Sequence, residues 1–333
     1  MDIVTHFLVP YASALAAFGW WRRGRAEDSK KAALALVVGL AGFAPDLDGG
    51  ISWLSKQFDS LYWLQHRGLS HTLIGAPLFA LFLVGVGALV AKRWPHRFPL
   101  LQWRAAFVPA AILGSWTHLL LDIITYGGVP LLWPFSFERV LYPAFFWLVF
   151  WLLPLGAIAL ALHAWGKLSR RGMVAVGALF VVLLVSLAGW RLSTRPTGEP
   201  EGAMVLPRSE LGEWTVLRPL GNGTWEAHSY REGERSLFTY FPTQVPPGAA
   251  EAVARTMDTD AYRGFLMGSF GPVATLAEPA AGGGWNVTFT DVAQRFEALH
   301  GEGWTPTMPR EAWGYQAFRV HEDGRIDVLH RGW

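Results

Sequence analysis

Six apolar stretches, at about residues 3–21, 31–45, 71–91, 105–124, 142–163 and 173–190, leave this chain few ways to fold. Four of them come close to the roughly 20 residues that an α-helix needs to cross a bilayer. The second, KAALALVVGLAGFAP, is shorter. In hydrocarbon every backbone N–H and C=O must be satisfied inside the segment, so runs of this kind are read as helices. Composition agrees: 52% of the residues are apolar and 16% are charged, too greasy a balance for an ordinary soluble domain of this length. The first stretch carries its basic residues after the apolar run rather than before it, unlike a cleaved secretory signal, and is read as a retained helix.

Basic residues then assign the sides. Arg22, Arg23, Arg25, Lys30 and Lys31 follow the first segment, Lys92, Arg93, Arg97 and Arg104 the third, and Lys167, Arg170 and Arg171 the fifth. The alternate loops hold only Lys56 and Arg67, or Arg139. An excess of lysine and arginine marks the cytoplasmic side. The expectation is therefore an integral membrane protein, with its N-terminus and everything after the sixth helix outside the cytoplasm. The net charge of +2 is spread over short loops, which suits membrane topology and gives no nucleic-acid patch.

An up-down bundle brings an unusual set of residues to the outer face. His6 opens the first helix, and Asp46 and Asp48 of APDLD end the second. His66, Arg67 and His71 of HRGLSHT precede or open the third, and His118 and Asp122 of THLLLD end the fourth. His118 and Asp122, four apart, share a helix face and can reach one ion, or simply bond to each other. APDLD taken alone is a helix-ending turn, and Ser70 can cap a helix beginning at His71. Taken together, ionisable groups at membrane depth call for partners or a metal. The chain has no cysteine, which excludes thiolate sites, cysteine nucleophiles and disulfides. Imidazole and carboxylate without sulfur suit zinc, manganese or iron, with zinc the default where no redox chemistry is needed.

THFLVPYA, PDLD, HRGLSHT and THLLLDIITYGG, in that order, resemble the inner-membrane metal-dependent hydrolases associated with LexA regulation. More remotely the pattern is similar to the zinc-dependent phospholipases C and P1-type nucleases. The resemblance covers about residues 1–165 and implies a hydrolase, most readily of phosphate esters such as a phospholipid or a lipid-linked phosphate. It assigns His6, Asp46, His71, His118 and Asp122 as metal ligands, with Asp48 and His66 as further candidates. Two features depart from the soluble enzymes: no N-terminal tryptophan offers its amine, and His163 is followed by Lys167 rather than by a glutamate. One or two zinc ions are therefore expected rather than three. Such an ion lowers the pKa of a coordinated water toward neutrality. Asp122 is then a candidate to bridge two ions, Asp46 or Asp48 to accept the water's proton, and Arg67 to hold a phosphate or, alternatively, a lipid headgroup. Asp48, His66 and Arg67 are the candidate catalytic residues. Thr125 and Tyr126 offer hydrogen bonds over the site, and Gly127 and Gly128 a sharp turn.

The remaining chain has a different character. A Pro/Gly linker at 192–203 separates a helical domain, 1–191, from an expected α+β domain at 204–333. EWTVLRPL, GTWEAHSY, RSLFTYFP, WNVTFTDV and YQAFRVHEDGRIDVLHRGW alternate like strands, and EAVARTMDTDAYRGFLMGSF reads as one helix packed on their sheet. REGER and HEDGR mark hairpins. The predicted class is mostly α: a polytopic helical membrane bundle followed by a small α+β extramembrane domain, in contact with membrane lipid and with a partner of the outer domain left open. Two other functions remain open: a non-catalytic membrane protein whose metal or polar cluster fixes the bundle, and a transporter with an ion path. The third and fifth segments carry little of the polarity that a path requires.

Overall fold

A computed structural model describes residues 3–19, 25–102, 105–144, 152–208, 212–300 and 314–331. Its helical half comprises α1 (Ile3–Gly19), α2 (Arg25–Phe43), α3 (Trp53–Gln57), α4 (Gly75–Arg93), α5 (Phe107–Ile123), α6 (Leu152–Ala164) and α7 (Arg170–Ser193). The six long helices fall on the six apolar stretches with shifted ends. Trp21, Arg22, Arg23 and Arg104 lie outside the described residues, as do 145–151 of the fifth stretch. Lys30–Gln57, Gly75–Arg93 and Arg170–Ser193 are long and apolar enough to cross a membrane, while the helices at Ile3–Ala17, Phe107–Ile123 and Leu153–Ala164 are shorter.

Small residues set the helix packing. α2 lies between α1 and α5. A Cβ on Gly42 would stand 2.5 Å from both the His6 carbonyl oxygen and Pro10 Cγ, so α1 and α2 approach at backbone distance there. Leu8, Leu15, Val37, Val38, Phe107 and Phe180 fill the space between helices. The outward faces of α4 and α7 remain apolar: Leu78, Phe82, Leu89, Leu179, Val182 and Val185 are all exposed. A row of such side chains suits hydrocarbon better than water.

α2 ends at Phe43 because Pro45 begins a 3-10 turn, Ala44–Gly50, which carries Asp46 and Asp48. The third long helix begins at Gly75 and not at His71, and Ser70 is not its cap. The helix starts too far along for the Ser70 oxygen to cap it, and the Ser70 hydroxyl donates to the buried carboxylate of Asp48 at Oδ2. Thr72 Oγ1 takes the Gly75 N–H at 2.8 Å.

The second half holds two antiparallel sheets where one was expected. β1 (Met204–Pro207), β2 (Glu213–Gly221), β3 (Thr224–Arg231) and β4 (Glu234–Phe241) form the first as a meander. β5 (Val273–Pro279), β6 (Trp285–Asp291), β7 (Tyr315–Val320) and β8 (Ile326–Arg331) form the second, and Gly332 and Trp333 lie outside the described residues. REGER and HEDGR are hairpin turns, between β3 and β4 and between β7 and β8. The single helix expected at 251–270 is two, α8 (Ala250–Met257) and α9 (Asp260–Gly268). Thr259 Oγ1 takes the Tyr262 N–H at 3.1 Å and restarts the helix. A further helix, α10 (Val292–His300), follows β6 directly.

Asp291 makes that last junction. One of its oxygens accepts the Gln294 N–H at 3.0 Å, and the other accepts Phe270 N–H at 2.9 Å and Gly271 N–H at 3.2 Å. Burial pushes its carboxyl up from the ordinary range although these bonds favour the charged form. Asp291→Ala strands all three donors and should cost about 2 kcal/mol. Hydrogen–deuterium exchange should accelerate across 292–300 and stay unchanged in α2 and α5. Unchanged exchange at 292–300 would contradict this account of the junction.

The sheet half sits on the end of the bundle that carries Asp46, Asp48 and Asp122. Gln65 donates to the Gly264 carbonyl at 2.9 Å, and Arg331 pairs with Asp59 at 2.7 Å. Arg139 donates to Gly127 O at 2.7 Å and to Met267 O at 2.5 Å. Its burial among carbonyls lowers the guanidinium to about 9. Tyr126 was expected over the site, but its ring packs 4.6 Å from Phe270 in a core with Leu206 and Phe296. A large apolar ring gains more from that core than from a wet rim.

Candidate metal centre

His6, Asp46, His71, His118 and Asp122 come from four separate elements and converge on one buried point. His6 and His118 lie on the adjoining helices α1 and α5, and their rings stack with centroids 3.8 Å apart. His118 Nε2 is 3.5 Å from Asp122 Oδ2 and 3.7 Å from Asp46 Oδ1. His6 Nε2 is 3.2 Å from Asp122 Oδ1, and His71 Nε2 is 3.5 Å from both Asp46 Oδ1 and Asp122 Oδ2. The sets His6, Asp46, His118, Asp122 and Asp46, His66, His71 each offer ligand atoms within 4.8 Å of one another, spacing that can hold a metal ion. Asp46 is the carboxylate common to both sets, a place that the sequence reading had given to Asp122.

The hydrogen bonds behind the cluster define which nitrogens face it. The Gly42 carbonyl can only accept, so His118 Nδ1 donates to it at 2.7 Å. That bond leaves the lone pair on Nε2, pointing into the cluster, as metal-bound imidazoles are usually held. Ser70 plays a similar part for His71. Its hydroxyl proton is committed to Asp48, so its oxygen accepts from His71 Nδ1 at 3.0 Å. His71 Nε2 then faces His118 Nε2 at 3.0 Å. Two lone pairs at that distance repel, and a proton or a metal ion must stand between them. Burial disfavours charge on His71, but hydrogen bonds to Asp46 and Asp48 outweigh it and raise the ring to about 9. An arriving cation therefore displaces a proton.

Charge gives a second test of fit. Among the described residues of the cluster, Asp46, Asp48 and Asp122 are set against one fixed cation, Arg67. Two negative charges remain, the complement of one divalent ion. His6 is fully buried: its Nδ1 has no hydrogen-bond partner among the described residues, and its Nε2 faces the carboxylates of Asp122 at 3.2 Å and Asp46 at 3.9 Å. Such groups are costly unless something coordinates them. An oxygen and nitrogen donor set with buried, unshared imidazole nitrogen fits a divalent metal.

The three candidate catalytic residues surround this point. Asp48 accepts from His66 Nδ1 at 2.7 Å, from the Arg67 N–H at 3.2 Å and from Ser70. Those bonds let it orient its neighbours. His66, with its side chain 48% exposed, is the most solvent-accessible of the three. Arg67 adopts a left-handed backbone, φ 63°, and folds back over the cluster. Its guanidinium meets Asp122 Oδ1 at 3.1 Å and Thr125 Oγ1 at 3.3 Å. A Cβ on Gly127 would stand 2.6 Å from Arg67 Nη1, so glycine there makes room for the guanidinium. His163 lies elsewhere, bonded to Tyr11 at 2.9 Å and to Leu168 O at 2.8 Å.

Sequence reasoning missed the Gly42 carbonyl and the relay through Ser70. No side-chain pattern marks a backbone acceptor. Ser70 reads as a cap until the position of Asp48 is known.

The class that the fold and the site define is a helical bundle with apolar outer faces, helices long enough to cross a membrane, and a buried histidine–aspartate cluster at one end that could hold a metal ion. Within it the family is clear: the family model for YdjM inner membrane protein matches residues 1–193, and the chain belongs to that family. The match ends with α7, leaving the two sheets outside it. No curated protein and no solved structure matches the chain, and none of the comparisons supports the expected similarity to phospholipases C and P1-type nucleases.

Proposed function

We propose that this protein is a membrane-embedded, metal-dependent hydrolase of phosphate esters. The observation that carries the reading is the pairing of a buried ligand set, in which the Gly42 carbonyl fixes the tautomer of His118, with a guanidinium and a half-exposed imidazole at its mouth. His6, Asp46, His118 and Asp122 would hold a zinc ion or a similar divalent metal, with His71 beside them. Bound there, the metal supplies Lewis acidity and an acidified water. The chain's own residues do the rest. Asp48 accepts the Nδ1 proton of His66 and leaves Nε2 basic, so His66 is the group that takes a proton from the attacking water and returns it to the leaving alcohol. Arg67 trades part of its contact with Asp122 for phosphoryl oxygens. Lys92, Arg93, Lys167, Arg170 and Arg171 gather at helix ends remote from the cluster, which supports an outward-facing site.

Complete burial of His118 and Asp122 favours a second reading, in which the metal only fixes the bundle. Metal analysis of the purified protein, paired with hydrolysis assays on water-soluble phosphate esters, separates the two. Hydrolysis should follow metal content. Arg67→Lys, which keeps the charge and loses the planar fork, should raise KM about tenfold and leave metal content unchanged. A metal-replete protein that cleaves no phosphate ester would leave the structural reading.

A further inference from the structure

Beside the cluster runs a cavity of about 250 Å³. One wall is the start of α4, with Gly75, Leu78, Phe79 and Phe82; Ile51, Trp63 and Leu69 line the opposite side. Its polar end is formed by Asp48 and Ser70, the pair that orients His66 and His71. Away from that end Leu78 and Phe82 are 61% and 64% exposed, on the outward face of a helix long and apolar enough to span the membrane. The cavity is therefore polar where it meets the cluster and open to the bilayer along α4.

We infer that this cavity takes one hydrocarbon chain of a membrane lipid whose phosphate-bearing head lies at His66 and Arg67. An apolar lining gives water too few partners to occupy it. The volume falls below the ~300 Å³ at which pockets begin to enclose a whole small molecule, so a single chain is the fitting occupant. From Gly75 to Phe82 the wall extends about 10 Å at the helical rise, along which an extended hydrocarbon chain can lie. Only the identity of the head group rests on the phosphoesterase reading; the chain site rests on the cavity itself.

The test is photolabelling of the full-length protein in nanodiscs of phosphatidylethanolamine and phosphatidylglycerol. The probe is phosphatidic acid with a diazirine midway along one acyl chain, and adducts are mapped by mass spectrometry. Labelling should concentrate on residues 51–82 and fall at least fivefold in Leu78→Trp and in Phe82→Trp. Both substitutions fill the cavity from exposed positions and touch no cluster residue. Equal labelling of the outward face of α7, at Val182 and Val185, or labelling indifferent to both substitutions, would overturn the inference. Selective labelling by a metal-replete protein that hydrolyses no phosphate ester would leave the chain site standing and remove the hydrolase. Hydrolysis of water-soluble esters with unselective labelling would do the reverse.

Discussion

His118→Ala protein should come out of purification with almost none of the wild-type metal, its affinity weakened on the order of 100-fold or more. Removing a group that merely orients a ligand costs 10–100-fold in metal affinity, and His118 is placed as a ligand itself. Its Nε2 faces the shared centre, 3.0 Å from His71 Nε2 and within 3.7 Å of two carboxylates. Without it those carboxylates lose an imidazole partner and the Gly42 carbonyl its donor. Asp122→Asn should act in the same direction by deleting charge at constant shape. Alanine at 122 is the poorer choice, since it also strips Arg67 of its carboxylate. Elemental analysis after dialysis, with circular dichroism to confirm retained helix, provides the measurement. Wild-type metal content in both variants would remove the metal centre and the hydrolase with it.

Gly114→Val should disrupt both the bundle and the site, although it replaces no polar atom. A Cβ at 114 would run into the Val38 carbonyl oxygen and stand 2.8 Å from Ala41 Cβ and 3.0 Å from Gly42 N. α5 and α2 would have to separate, at a cost of roughly 1–3 kcal/mol or more. The bond from His118 Nδ1 to Gly42 O crosses the same contact, so separation also releases the His118 ring. The expected result is a lower thermal midpoint together with lost metal. Gly85→Val serves as the control, because nothing stands near a Cβ there. A Gly114→Val protein with wild-type midpoint and metal would show that the helix contact does not set the site.

Much of this was legible in the residues. Long apolar runs announce helices because lipid and core alike forbid unsatisfied backbone, and all six long helices fall on them. His118 and Asp122 at helical spacing do share a face. The hairpin at HEDGR is in place because Gly324 supplies φ 85°. The failures have a common cause. Ser70 was read as a cap and Tyr126 as a donor over the site from local chemistry, and each found a stronger partner far along the chain. β1 is short and β5 lacks clean alternation, so their pairing with β2 and β6 was not visible beforehand.

Sequence alone determined the chemistry on offer: a set of nitrogen and oxygen ligands without sulfur, placed at the ends of apolar segments that an up-down bundle must bring to one face. Only the tertiary structure decided the roles within that set. It separated Asp46, which faces the centre, from Asp48, which holds His66 and Ser70, and it drew Arg67 onto Asp122. The reason is geometric. Chain spacing settles which side chains share a helix face, whereas distances between helices depend on how closely backbones meet, at contacts such as those of Gly42 and Gly114.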